Sequence, residues 1–150
     1  MNLNNLLRSD RQEIIDWASE SLARCPLKHY RESDPEENKE RLSRLFDLAE
    51  SCIHTKNLIP MMEYSKKIGE ERYRQHFDLE EVHVAFNVLE EAIWTKITEK
   101  VEPKYYPQAF GMVSTVLGFG KETLAVTYVS LSSQKGKMKS LNLSGMFQSS

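Results

Sequence analysis

Apolar residues return every three or four positions along most of this chain, and the residues between them carry the signals that start and stop helices. Leu7, Ile14, Ala18 and Leu22 share one face. Ser9 and Gln12, ahead of Ile14, have the spacing of a capping box, so a first helix is expected to run to about Arg24, with Asn4 or Asn5 as the alternative start. Pro26 ends it, and Lys28 to Asp34 reads as a polar connection. In Ser33-Asp34-Pro35-Glu36-Glu37 a cap, a first-turn proline and acids near the positive helix end mark a second start. That helix should turn Leu42, Leu45, Phe46, Ala49 and Ile53 inward. After a break at Asn57 to Pro60, a third helix is expected to present Met61, Tyr64, Ile68 and Arg72. Asp78 and Glu81 form a capping box, with Phe77 and Val82 as its hydrophobic staple, opening a fourth helix from Leu79 to about Lys100. Its stripe is Leu79, Val82, Phe86, Leu89, Ile93 and Ile97.

Beyond Glu102-Pro103 a fifth helix should run from Pro107 to about Ser132, and its apolar positions fall on two sides. One side holds Phe110, Val113, Leu117, Leu124, Tyr128 and Leu131; the other holds Met112, Val116, Phe119 and Val126. A helix with two apolar sides is either sandwiched in its own domain or shares one side with a second chain. Met112, Val116, Phe119 and Val126 are therefore the candidate dimer or partner interface. Gly111, Gly118 and Gly120 weaken this helix and suit a close backbone approach or a bend near Gly118. The fold expected is all-α: one domain of about five helices over residues 1–132, a bundle or a globin-like arrangement, followed by a flexible tail or linker stub over 133–150.

Composition narrows the function classes. Lys plus Arg total 20 against 22 for Asp plus Glu, so no global positive field favours a nucleic acid partner. Cys25 and Cys52 stand alone in helical pattern and read as buried reduced thiols of a cytoplasmic protein. The start MNLNNLLRSDRQE is not an export signal, and the longest weakly polar run, Ala109 to Phe119, is too short for a bilayer; no membrane association is expected.

No catalytic constellation is recognisable, so enzymatic activity is not expected. Glu80-Glu81-Val82-His83 contains a Glu-x-x-His, but a di-iron site needs a second copy and two further glutamates; no metal is expected. His83 stands near a helix start beside acids and His76 at a helix end, placements that suit haem poorly, and no cofactor is expected. Gly118-Phe-Gly120-Lys121-Glu122-Thr123 lacks the first glycine, the hydroxyl and the preceding strand of a phosphate loop. His83, Glu90 and Trp94 line one edge of the fourth helix, and Arg72 lies in the apolar face of the third, near enough across a tight turn to pair with Glu90. These four are the candidate ligand-binding residues. Their alternative reading as a polar pocket makes this a ligand-, haem- or metal-binding helical protein.

The run Arg72-Tyr73-Arg74-Gln75-His76-Phe77-Asp78-Leu79-Glu80-Glu81-Val82, followed by Ala85-Phe86 and Leu89, resembles the R-x-x-x-G-F-[ST/D]-L-E-E-[LV] stretch of the RsbRD N-terminal family. Those are helical input domains of RsbT co-antagonists and of some bacterial sensor kinases. Glu13 to Trp17 (EIIDW) is similar to that family's first helix. His76 stands where the family commonly carries glycine, and the residues after the helices are not expected to form an output domain. The resemblance implies a non-catalytic bacterial sensory or regulatory domain, globin-like without haem. It would act as a homodimer and through a protein partner in stress-response or sensor-kinase signalling.

Overall fold

The computed structural model describes the backbone to Phe147 and the side chains as far as Gln134. Among the described residues there are seven α-helices: α1 (Leu3–Ser9), α2 (Arg11–Ala23), α3 (Lys28–Glu32), α4 (Pro35–Thr55), α5 (Ile59–Arg74), α6 (Leu79–Lys100) and α7 (Tyr106–Phe147), with a 3-10 turn at Pro103–Tyr105 before the last. The count exceeds the five expected because one expected helix is split and one expected connection is helical. Asp10 divides the first helix: it closes α1 through its N–H to the Leu6 carbonyl, and its own carbonyl accepts from Ile14 at the start of α2. Ser9 and Gln12 do not form the expected box, because the Ser9 hydroxyl donates to Asp10 and Leu6 and the Gln12 amide donates to Asp16. The start at Asn2, whose Oδ1 accepts from the Asn5 N–H at 2.8 Å, precedes both sequence alternatives.

α4 starts as its residues dictate, with the Asp34 carboxylate accepting from Glu36 N–H at 3.1 Å and Pro35 in the first turn. It ends at Lys56, one of two non-glycine residues with a left-handed backbone among the described residues, φ 56°. The α5–α6 junction is the other. His76 has φ 66°, Phe77 N–H reaches back to the Arg72 carbonyl, and His76 N–H reaches the Tyr73 carbonyl, the two crossed bonds of a Schellman ending. α7 continues to Phe147, where the apolar pattern ends it near Ser132; the tail expected over 133–150 otherwise lies outside the described residues.

The hydrophobic cluster takes residues from α1, α2, α4, α5, α6 and α7. α2 packs on α4 and α6, while α7 lies across α4, α5 and α6 on the opposite side. The α6 stripe is buried from Val82 to Ile97, and Val113, Leu117 and Leu124 of α7 are fully enclosed. Gly120 permits the closest approach: a Cβ there would lie 2.7 Å from Phe86 Cε2 and 2.9 Å from Met61 Sδ. Gly69 of α5 faces Thr127 and Leu124 in the same way, at 3.1 and 3.4 Å. Gly111 and Gly118 face open space. No described helix is long and apolar enough to cross a membrane. Cys52 is buried as expected, whereas Cys25, past the end of α2, is only half-buried; both are free thiols.

Candidate functional site

The α5–α6 junction is braced by side chains from α3, α6 and α7. Glu81, 5% exposed, accepts from Asp78 N–H at 3.0 Å, which is one of the two bonds of the capping box. The same carboxylate accepts from His29 N–H at 3.1 Å and meets His29 Nδ1 at 2.7 Å. Burial raises the Glu81 pKa, but the Asp78 and His29 donors outweigh it and hold the carboxyl below its ordinary value. The Tyr30 hydroxyl donates to the Glu81 carbonyl, the His29 ring stacks on Phe77 at 3.9 Å, and the Tyr128 hydroxyl of α7 donates to the Phe77 carbonyl at 2.9 Å. α3, α6 and α7 thus converge on Phe77. Sequence reasoning read Lys28 to Asp34 as connection because a helix of five residues is too short to show a period.

Arg72 comes from the buried face of α5, as expected, and is 9% exposed. It does not pair with Glu90. Its Nη1 donates to Gln75 Oε1 at 2.7 Å, and its guanidinium lies 5.2 Å from the centre of the Phe77 ring. The reason is register: Val82, Ala85 and Phe86, not Glu90, are the α6 residues that share a cavity with Arg72. That cavity, about 40 Å³, lies between α2, α4, α5 and α6 and also receives Arg41, Asn38, Tyr30 and Tyr64. None of these was singled out from sequence as a binding residue, since each sits singly among helical surface or core positions.

His83 and Glu90 are elsewhere, on the seam between α6 and α7. His83 Nε2 donates to the Lys121 carbonyl at 3.1 Å, which fills its ring nitrogen with a structural bond. Lys121 Nζ donates to Asn87 Oδ1 at 3.1 Å and lies 3.9 Å from Glu90 Oε2, a buried oxygen without a hydrogen-bond partner. Trp94 is 41% exposed and packs on Phe110, ring centres 5.3 Å apart. The four expected ligand residues are therefore divided among three places. Among the described residues no three of His, Cys, Asp and Glu gather as a metal site.

The expected interface residues on α7 also separate. Val116 is 5% exposed and belongs to the core, because α5, α4 and α6 all reach α7 and cover its second side near Gly120. Met112 and Phe119 are half-buried. Val126 is 63% exposed, and Val129, one turn on, is 64% exposed. Val126 and Phe119 border a groove of about 760 Å³ whose other wall is the α5 column Met62, Lys66, Glu70 and Arg74, spaced four apart.

Compared with known proteins, the chain matches no family model, no curated protein and no solved structure.

Proposed function

We propose that this chain is a non-catalytic regulatory helical domain of bacterial signalling, cytoplasmic, which self-associates through the face of α7 at Val126 and Val129 and passes a signal to a protein partner. The observation that carries the reading is the exposed Val126–Val129 ridge beside the α5–α7 groove, apolar surface that the chain's own helices leave uncovered. The groove follows two parallel helices and offers a seat for a third. Its α5 wall and Glu122 alternate in sign, so a copy related by a two-fold axis can set Lys66 or Arg74 against Glu70 or Glu122. The resemblance of the α5–α6 junction to the RsbRD N-terminal family adds the sensory role. His76 supports that likeness: its backbone is left-handed at the position where the family carries glycine.

The test is mass in solution. Light scattering on a size-exclusion column should give about twice the 17.4 kDa of the chain. Val126→Glu with Val129→Glu should return a monomer with unchanged helicity. A wild-type monomer at high protein concentration removes the proposal.

A further inference from the structure

The α2–α4–α5–α6 cavity holds a charge imbalance that the fold does not resolve. Arg72 is nine-tenths buried, yet among the described residues no carboxylate lies within 4.0 Å of it. Its bond to Gln75 and its contact with the Phe77 face are to neutral groups. Arg41 lines the same cavity and meets only Glu37 of its own helix, at 3.9 Å. Burial and the Arg41 charge both press the Arg72 guanidinium toward lower basicity, but a guanidinium does not deprotonate in a protein. Two cations facing one recess favour an anion there.

A second observation is independent of charge. Asn38, 6% exposed, also lines the cavity; its Nδ2 is used by Ser33 Oγ at 2.8 Å, but its Oδ1 is buried with no partner. That oxygen calls for a donor, which a bare carboxylate does not offer; a hydroxyl does, and the largely apolar wall favours one carried on carbon over the P–OH of a phosphate, whose further oxygens would face apolar groups. The cavity of about 40 Å³ is the size of roughly three water-sized spheres, and most of its wall is apolar.

We propose that this cavity binds a small 2-hydroxycarboxylate of glycolate size, the carboxylate held by Arg72 and Arg41 and the hydroxyl donating to Asn38 Oδ1. The carboxylate then gives both guanidinium groups an anionic partner, and the hydroxyl gives one to Asn38 Oδ1. The inference goes beyond the regulatory reading and does not depend on it, since the cavity lies within one chain and away from the Val126 ridge.

Titration calorimetry of the whole chain with sodium glycolate, against acetate and inorganic phosphate at constant ionic strength, tests it. Saturable glycolate binding is expected, weaker by at least about tenfold in Arg41→Gln, a partly exposed α4 position, and weaker for acetate than for glycolate. Arg72→Gln should abolish binding, with circular dichroism to show that the helices persist; if that variant unfolds, Arg41→Gln alone decides. The proposal is overturned if wild type shows no saturable glycolate binding, if Arg41→Gln binds as wild type does, or if acetate or phosphate binds as tightly as glycolate. The mass of the particle is a separate readout, so a monomer that binds glycolate leaves this site standing.

Discussion

His76 occupies a conformation that an L-residue with a Cβ resists, and nothing about its exposed side chain offsets the cost. Replacing it with glycine should therefore raise unfolding stability by about 1 kcal/mol, read as a higher urea midpoint at constant slope. Glu81 sets a pH dependence instead. Its folded pKa is below the ordinary 4.5, so its contribution is complete above about pH 4.5 and is lost as pH falls through the folded value. Asp10, held down by Lys100 and then by Ser9 and Lys96 against the opposing effect of burial, acts in the same direction from an ordinary 3.8. Glu81→Gln should thus lower stability at neutral pH by about 1–2 kcal/mol and flatten the acid limb of a stability profile between about pH 5 and 3. An unchanged acid limb would show that the His29 and Asp78 bonds do not hold the charge.

At the scale of elements, α7 shows how one residue type serves opposite ends. Gly120 is where α7 meets Met61 of α5 and Phe86 of α6, while Gly118, two residues earlier, faces open space. Gly120→Ala should destabilise by about 1–3 kcal/mol through overpacking, and Gly118→Ala should stabilise by up to about 1 kcal/mol through helix propensity. Thermal melts of the two variants should shift in opposite directions. Sequence pattern showed the three glycines as equivalent, because the partner helices that distinguish them are distant in the chain. The α6 stripe and the Asp78–Glu81 cap, by contrast, were legible: each rests on residues within a few positions of one another. Of the candidate site, Arg72 was placed on a buried face correctly, but its partner was not. Pairing it with Glu90 required knowing the register of α5 against α6, and that register brings Val82, Ala85 and Phe86 to its cavity instead.

For the whole molecule, the long α7 matters most. Its 42 residues span roughly 60 Å, and it is buried against the other helices as far as Tyr128. If two copies meet along the Val126–Val129 ridge, any shift of that contact is carried into the core, because Val113, Leu117 and Leu124 fix the same helix against α5 and α6. Self-association also ties stability to mass action. The melting temperature should rise with protein concentration for wild type and be independent of concentration for the Val126→Glu, Val129→Glu variant. A concentration-independent melt of the wild type speaks against an obligate pair.

Local order was written in the chain itself: the all-helical class, the starts at Asp34 and Asp78, the buried stripe of α6 and the two-sided character of α7 all follow from neighbours three or four residues apart. Three-dimensional packing alone decided which of those apolar sides is covered. It enclosed Val116, left Val126 bare, drew His29 and Tyr30 onto Glu81 from some fifty positions away, and placed Arg41 and Asn38 beside Arg72. The reason is physical: periodicity records that a face must leave water, but the identity of what covers it depends on crossing angles and glycine contacts between segments remote in sequence.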